Sequence, residues 1–314
     1  MRGDPPKRSL GAYDGGLISV GQPRRRTRRR GPQTGREMLK RVDRVQIVVR
    51  DRDEAARAAG EIFGAEVVGS DALRTLGVKR TTVRAGVSTI EFLEIDGPGP
   101  VANFAARWGG GLYAAGFAVE DVDQAAARLT DNGVRFERAA GQLFLDAAAT
   151  CGMPTVISAL RNPAPVGAIK WLYEVTNVVA DWRATAERYT RIFGLDPAKY
   201  VPIEHDEFGY TGTLTMFDAP ARLDRIEISQ PTKAAAMGRF HRRRGDSLYM
   251  FYVETADVEA IAARLWERGG RFTPRKEGLR DGMWLHPTAF CGVLVGVSRT
   301  DVAWRWSGDP ARGR

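Results

Sequence analysis

The sequence predicts an α+β protein made of two tandem copies of one domain. The first observation is an internal repeat: the segment that begins at Arg41 (RVDRVQIVVRDRDEAARAAGEIFGAE) returns as Leu172–Leu195 (LYEVTNVVADWRATAERYTRIFGL). Asp51 and Asp181 correspond at an offset of 130 residues, and the offset grows to 140 further along, which indicates small loop insertions in the second copy. The second observation is that each copy alternates strand-like and helix-like periodicity. Self-similarity at a fixed period defines the architecture before single residues are considered.

The length of the chain agrees with two domains, and most of its net charge lies outside them. A chain of 314 residues suggests about two domains, and the sequence has no apolar run long enough to span a membrane. The net charge of +9 is concentrated at the start, because residues 1–37 hold ten Lys or Arg against three Asp or Glu, a net of +7. The rest of the chain therefore carries only +2, so the basic balance describes the tail and not the domains.

The basic tail, residues 1–37, is expected to be disordered, because it is rich in Gly, Pro and Arg and has no apolar periodicity. Its densest stretch is Arg24–Arg30 (RRRTRRR). We do not expect it to bind nucleic acid, although a basic arm of this kind is the alternative. A second alternative is that Met38 is the true start and the preceding residues are an over-long reading frame. The tail has no apolar core region of a secretory signal.

The first domain, residues 38–161, contains two strand–helix–strand–strand–strand units. Alternating apolar residues predict its strands, and an Asp before each helix with a Gly after it predicts the helix ends. The predicted strands are Val42–Val49, Val67–Val68, Lys79–Arg84, Ser88–Ile95, Leu112–Val119, a short one near Arg135, Gln142–Leu145 and Pro154–Leu160. The predicted helices are Asp53–Phe63 and Val122–Asn132.

The second domain, residues 168–300, follows a linker at Asn162–Gly167 (NPAPVG) and repeats the order of the first. Its predicted strands are Leu172–Val179, Tyr210–Phe217, Arg225–Ser229, Ser247–Val253, Met283–His286 and Val293–Ser298, and its predicted helices are Trp182–Phe193 and Val258–Arg268. Residues 301–314 form a C-terminal tail without periodicity.

The motifs, taken in order, resemble the vicinal oxygen chelate superfamily, which includes glyoxalase I, methylmalonyl-CoA epimerase, bleomycin resistance proteins and extradiol dioxygenases. The matching motifs are an opening strand that ends in Asp, a helix that ends in Phe-Gly, an Ile-Glu pair and a last strand that begins with Cys-Gly: Val45–Asp51 and Val175–Asp181, Phe63 and Phe193, Ile90-Glu91 and Ile226-Glu227, Cys151 and Cys291. The resemblance covers about residues 40–300. It implies that each domain is a half-closed barrel of two βαβββ modules, with the layout of an extradiol dioxygenase.

The resemblance also implies four positions for ligands of a divalent metal, usually His or Gln, Glu, His and Glu. The first domain has at these positions Arg44, Glu91, Ala114 and about Val156, and the second has Glu174, Glu227, Leu248 and Gly296. No histidine occupies a ligand position, so a His-His-Glu triad cannot form. We therefore expect no metal cofactor, while a weakly bound divalent cation between Glu174 and Glu227 stays open.

The two carboxylates of the second domain are the catalytic candidates. Strand parity places Glu174 and Glu227 on the concave face of the sheet, where a carboxylate is costly unless it is paired or hydrated. The alternative is that Arg225 or another basic group simply pairs with them. In the first domain, Arg44 and Glu91 are expected to form an internal ion pair, which would make that domain structural.

Further side chains are candidates for contacting a substrate. Tyr252 is preferred over Tyr249 because its parity matches Leu248 and Met250. A basic loop at Arg239–Arg244 is either a solvated loop or a clamp for an acidic substrate. The substrate-binding candidates are Thr176, His205, Arg225, Arg242, Tyr252 and His286, and we expect His205 to lie in a loop.

Three functions follow as alternatives. The first is an enzyme that acts on a small oxygenated organic molecule by acid–base chemistry of the lyase or isomerase type, without the usual metal ligands. The second is a non-catalytic binding protein of the bleomycin-resistance type, and the third is a divergent extradiol-type dioxygenase. We expect a small-molecule partner and no membrane partner. We also expect a cytoplasmic location, because the two cysteines belong to different cores and would not form a disulfide. A homodimer stays open.

Overall fold

The computed structural model describes residues 37–217, 222–275 and 278–299, which belong to one structural unit. The expectations for residues 1–36 and for the C-terminal tail therefore lie outside the described residues. Within the described ranges, no helix is long and apolar enough to cross a membrane.

The first domain consists of eight strands and three helices. In chain order these are β1 (Leu39–Val48), α1 (Arg52–Phe63), β2 (Glu66–Leu73), β3 (Val78–Ala85), β4 (Ser88–Ile95), α2 (Pro100–Trp108), β5 (Gly111–Val119), α3 (Val122–Asp131), β6 (Glu137–Ala139), β7 (Gln142–Leu145) and β8 (Thr155–Ala159). The helix α2, which joins the two modules, is an element that the sequence patterns did not indicate.

The second domain has the same elements in the same order. They are β9 (Trp171–Val178), α4 (Trp182–Phe193), β10 (Tyr200–His205), β11 (Tyr210–Met216), β12 (Arg225–Pro231), α5 (Ala236–Arg244), β13 (Ser247–Glu254), α6 (Val258–Glu267), β14 (Phe272–Arg275), β15 (Gly278–Leu285) and β16 (Leu294–Ser298). Short 3-10 turns lie at Pro197–Lys199 and Pro287–Ala289.

Both domains share one sheet topology. The first sheet runs β2-β3-β4-β1-β5-β8-β7-β6, and the second runs β10-β11-β12-β9-β13-β16-β15-β14. In each, the opening strand pairs in parallel with the fourth strand of its own module and antiparallel with the opening strand of the next module. This order confirms two βαβββ modules per domain and the predicted α+β class, with each mixed sheet curling into a half-closed barrel.

The repeated Asp and Phe-Gly motifs mark the two ends of equivalent helices. Asp51 accepts hydrogen bonds from the backbone N–H groups of Asp53 and Glu54, so it satisfies two donors at the start of α1. Asp181 does the same at the start of α4. Gly64 and Gly194 end these helices with φ of 69° and 67°, a left-handed conformation that glycine adopts without a Cβ penalty.

Helices α1, α3, α4 and α6 and the outer faces of both sheets share a single core. Phe63 of α1 lies with its ring centroid 5.3 Å from that of Phe290, and Phe117 of the first sheet lies 6.1 Å from Phe193 of α4. Strand residues of one parity, such as Val45 and Val175, are fully buried in this core. Residues of the other parity point into the two concave faces, and those faces are therefore where cavities form.

Three local expectations were wrong. Arg239–Arg244 is the end of helix α5 and not a loop, and His205 is the last residue of strand β10 rather than a loop residue. Cys151 and Cys291 are half-buried in turns with φ of 50°, just before the last strands, and not on strands. Both are free thiols, as expected, but they do not belong to different cores, because both pack against the one core that the two sheets share.

Candidate functional site

A cavity of about 240 Å³ opens on the concave face of the second sheet. Its lining comes from all eight strands of that sheet and from the residues at the start of α5. Aromatic rings form most of the wall, and charged groups lie on the central strands. The cavity brings together five of the predicted site residues: Glu174, His205, Arg225, Glu227 and Tyr252.

The parallel pairing of β9 with β12 sets the charged groups in order. Glu174 pairs in register with Arg225, and Thr176 pairs with Glu227. These four residues have the parity opposite to Val175, which is buried in the core. Alternation along two adjacent strands therefore gives one concave surface with two carboxylates, one guanidinium and one hydroxyl.

Glu174 is already paired inside the protein. Its Oε2 atom accepts a hydrogen bond from Arg225 Nε at 2.5 Å, and both side chains are buried. Burial lowers the pKa of Arg225, but the charge and hydrogen bond of Glu174, together with Tyr173 and Glu227, outweigh this effect, and the net shift of that pKa is upward. The guanidinium also lies 4.8 Å above the ring of Tyr173. Glu174 and Arg225 thus form a fixed ion pair. The alternative that Arg225 pairs with the carboxylates therefore holds for Glu174.

Among the residues that the structure describes, Glu227 has no basic hydrogen-bond partner, and its neighbours are two hydroxyls and the carboxyl of Glu174. Ser229 Oγ donates to its Oε1 atom at 2.5 Å, and Thr176 Oγ1 donates to Oε2 at 3.4 Å. Burial and the nearby charge of Glu174 raise the pKa of Glu227 from 4.5 to about 8. Two buried carboxyls at close range cannot both ionise without cost, so Glu227 keeps its proton near neutral pH.

Six aromatic side chains surround the carboxyls: Tyr173, Phe208, Tyr210, Tyr249, Tyr252 and Trp284. Trp284 Nε1 donates to the Tyr252 hydroxyl at 3.0 Å, and burial raises the pKa of Tyr252 to about 12. Burial also raises the pKa of Tyr210 and Tyr249, so these phenols stay protonated near neutral pH. His205 contributes its ring, which stacks 5.8 Å from Tyr210.

Tyr249 lines the cavity, contrary to the parity argument that preferred Tyr252 alone. A β-bulge between Leu248 and Met250 shifts the register of β13 against β9. Leu248 therefore packs in the core instead of facing the cavity, while Tyr249, Met250 and Tyr252 all reach it. The sequence carried no signal for the bulge.

Arg275 on β14 is a second cavity residue that the sequence patterns missed. Its guanidinium lies 5.2 Å from the ring of Trp284 and 5.9 Å from that of Tyr252. The strand reaches the cavity only through the pairing of β14 with β15. A short strand so far along the chain from Glu174 and Glu227 could be placed beside them only once the sheet order was known.

Two predicted binding residues lie away from this cavity. Arg242 is exposed on α5, and only the first residues of that helix, Ala236 and Met237, reach the cavity. His286 is exposed and caps a 3-10 turn, where its Nδ1 atom lies 2.9 Å from Thr288 Oγ1. Thr176 does not line the cavity directly but contacts Glu227 from the neighbouring strand.

In the first domain, the equivalent carboxylate belongs to a network of hydrogen bonds to basic and amide groups. Glu91 accepts hydrogen bonds from Arg44 at 2.7 Å, from Arg80 at 3.1 Å and from Gln46 at 2.8 Å. The predicted Arg44–Glu91 pair is therefore confirmed, and Arg80 joins it from β3. The side chain of Arg44 lies directly over Gly116, where any Cβ would collide with it.

The donor set of the second domain does not fit the metal that the resemblance implies. A catalytic divalent site takes three protein ligands of His, Asp, Glu or Cys, and the described residues bring no such group of three together. Only Glu174 and Glu227 face the cavity from the expected positions, and Arg225 already binds the first. Gly296, at the last expected position, lies under the ring of Tyr252, which leaves no room for a side chain there.

Solved structures of known proteins align with the chain, and the first of them agrees with this fold. A variant of 4-hydroxymandelate synthase from Streptomyces coelicolor aligns over 84% of this chain and 93% of its own, with a TM-score of 0.65 and 16% identity. Methylmalonyl-CoA epimerase from Streptomyces coelicolor aligns over 39% of this chain and 99% of its own, with a TM-score of 0.35 and 27% identity. Methylmalonyl-CoA epimerase from Mycobacterium tuberculosis aligns over 41% of this chain and 93% of its own, with a TM-score of 0.37 and 19% identity.

Family profiles match both halves of the chain. No curated protein sequence matches it. Residues 43–144 and residues 172–291 each match a family described as the glyoxalase/bleomycin resistance protein/dioxygenase superfamily. The two matches together span well over half of the sequence and coincide with the two curled sheets. The chain therefore belongs to the glyoxalase/bleomycin resistance protein/dioxygenase superfamily, as a tandem two-domain member.

Proposed function

We propose that the second-domain cavity binds a small oxygenated organic molecule with an aromatic or similarly flat apolar part, and that Glu227 transfers a proton on it. The observation that carries this proposal is the state of Glu227: a carboxyl on the wall of an apolar cavity, with a pKa raised to about 8 by burial and by Glu174. A general acid or base is most effective when its pKa lies near the working pH. Lyase and isomerase reactions use such a group.

The tyrosine hydroxyls of the cavity support the proposal that the ligand carries oxygen atoms. The hydroxyls of Tyr210 and Tyr249 line the cavity and, within the described ranges, have no hydrogen-bond partner in the protein. Because their pKa values are raised, both remain donors near neutral pH. A carbonyl or hydroxyl oxygen of the substrate would accept these hydrogen bonds and would place the adjacent carbon near Glu227.

The volume and wall of the cavity support a small ligand. Pockets for drug-sized molecules usually span about 300–1,000 Å³, and this one has about 240 Å³. Rings of Tyr173, Tyr252 and Trp284 offer flat apolar contact. The Glu174–Arg225 pair would act as a positioning unit that keeps one carboxyl charged and the other protonated.

A binding protein is the second candidate, and the same rings favour it. Aromatic faces together with carboxylates make a site that attracts cations, so the cavity would also suit sequestration of a cationic aromatic compound without turnover. A dioxygenase reaction is supported less, because non-haem iron of that type needs two histidines and a carboxylate. We keep the cytoplasmic location and metal-independent chemistry as part of the first proposal.

Deuterium exchange separates the two candidates. Small aromatic ketones, aldehydes, phenols and hydroxy acids would first be screened by thermal shift with the full chain. Compounds that bind would then be incubated in D₂O and followed by NMR for exchange at carbon or for product. Acid–base catalysis predicts exchange with the wild type and at least about a hundredfold less with Glu227→Gln. Glu259→Gln, at an exposed carboxylate of α6, is the matched control.

Tight binding without exchange by the wild type would favour the binding protein. Equal exchange rates in the wild type and Glu227→Gln would show that Glu227 does not carry the proton.

A further inference from the structure

A second cavity, of about 380 Å³, lies on the concave face of the first sheet and at the junction with the linker. Its lining is strongly basic. Six arginines contribute to it, namely Arg41, Arg44, Arg80, Arg84, Arg161 and Arg222, against the two carboxylates of Asp43 and Glu91. This charge contrasts with the aromatic wall of the second-domain cavity.

Carboxylates neutralise only part of this charge. Arg44 binds Asp43 and Glu91, Arg80 binds Asp71 and Glu91, and Arg222 binds Asp224. Arg84 differs from these three. Within the described ranges it has neither a hydrogen bond nor an ion pair, although its Nε atom is buried. A buried charged donor without a partner costs more than a neutral one, so it requires an explanation.

The strands on both sides of β3 leave Arg84 without an ion pair among the described residues. On β2, Glu66 lies opposite Arg84 but makes no ion pair with it. Arg80, Thr82 and Arg84 alternate along β3 and share the face that lines the cavity. In the register with β4, Arg84 lies opposite Thr89, while Glu91 lies opposite Thr82. Glu91 already accepts from two other arginines and an amide. The Thr82 hydroxyl also has no partner among the described residues, so two unused donors point into one cavity.

The second domain lacks this row of polar residues. Because Glu91 and Glu227 are equivalent, the register of β11 with β12 makes Gly212, Leu214 and Met216 the counterparts of Arg80, Thr82 and Arg84. The same strand of the fold is thus apolar in one copy and cationic in the other. Packing of the fold does not demand the arginines, which points to a ligand.

We propose that the first-domain cavity binds a small organic anion through a carboxylate or phosphate group, with Arg84 and Thr82 as its anchoring donors. A guanidinium binds either group through two parallel hydrogen bonds, and a hydroxyl can add a third. Arg44 and Arg80 also line the cavity and add positive electrostatic potential to it. The site is separate from the second-domain cavity and would take a different ligand, so the proposal does not depend on proton transfer by Glu227.

Calorimetric titration with inorganic phosphate and with malonate tests this site in the full chain, with chloride used to hold the ionic strength constant. The two probes distinguish a phosphate from a carboxylate ligand. We expect saturable binding of at least one probe, a loss of affinity of about tenfold or more in Arg84→Gln, and a smaller loss in Thr82→Val. Arg135→Gln should bind like the wild type, because Arg135 is exposed in the same domain and outside the cavity.

Arg84 makes no ion pair with any described residue, so Arg84→Gln should remain folded by circular dichroism. Thr82→Val keeps the side-chain volume and tests anion binding at this cavity independently of Arg84. The proposal is overturned if neither probe binds, or if Arg84→Gln and Thr82→Val both retain the affinity of Arg135→Gln.

Discussion

Glu174 and Arg225 stand opposite each other in the parallel pair β9–β12, and their side chains form a buried ion pair with a 2.5 Å hydrogen bond. The guanidinium of Arg225, which is buried on β12, is therefore already paired with Glu174. Glu227, one register step further, is left with hydroxyl partners, and burial together with the charge of Glu174 raises its pKa to about 8. Two carboxyls of one cavity therefore differ in protonation near neutral pH, which is the usual arrangement of an acid and a charged neighbour.

Replacement of Glu227 by Gln should abolish proton transfer without harming the fold. The substitution keeps the volume and removes a group whose ionisation is unfavourable in this cavity, so the free energy of unfolding should stay level or rise. Turnover or exchange of a bound compound should fall by at least about a hundredfold. Steady-state kinetics and chemical denaturation measure the two effects. Unchanged turnover would remove Glu227 from the mechanism.

Replacement of Glu174 by Gln should behave differently. Glu174 differs from Glu227 because its partner, Arg225, is a buried charge. Without Glu174, Arg225 is a buried charge without its partner, which costs about 3–5 kcal/mol. Urea denaturation should show this loss, and the double variant Glu174→Gln, Arg225→Met should recover part of it. A single variant as stable as the wild type would contradict the role of the pair.

The sequence revealed the modules and the central carboxyls because both depend on local periodicity. Alternation along β9 and β12 correctly placed Glu174 and Glu227 on one surface, and the Asp and Phe-Gly motifs marked the helix ends. The missed residues depend on long-range geometry. Tyr249 reaches the cavity through a bulge, and Arg275 reaches it from a strand whose position follows from the sheet order. Neither relationship leaves a trace in a single sequence.

Replacement of Glu91 by Gln should destabilise the first domain and spare the second-domain cavity. Glu91 is buried and accepts hydrogen bonds from Arg44 and Arg80, so the neutral side chain leaves two guanidinium groups without part of their compensation. We expect a loss of about 3–5 kcal/mol in the free energy of unfolding, with ligand affinity at the second cavity unchanged for the folded protein. If stability holds and second-cavity binding fails, the two sites have been assigned to the wrong halves.

The raised pKa of Glu227 also predicts how stability changes with pH. Between its ordinary value of 4.5 and about 8, folded Glu227 keeps a proton that the unfolded chain has released, so stability decreases as pH rises. Relative to Glu227→Gln, the wild type should lose about 1.4 kcal/mol per pH unit within this window. Burial raises the pKa of Asp224 to about 7, but its contribution is common to both proteins and cancels. A difference that stays constant with pH would contradict the shift.

The central claim is that Glu227 is a protonated carboxyl near neutral pH, poised to exchange its proton. Carbon-13 NMR of protein labelled at the glutamate carboxyl groups measures this directly, and comparison with Glu227→Gln assigns the resonance. We predict that the signal absent from the variant titrates with a midpoint near 8, as burial and Glu174 require. A midpoint near the ordinary value of 4.5 would show that Glu227 is an ionised carboxylate throughout, and the proposed acid–base function would then lose its basis.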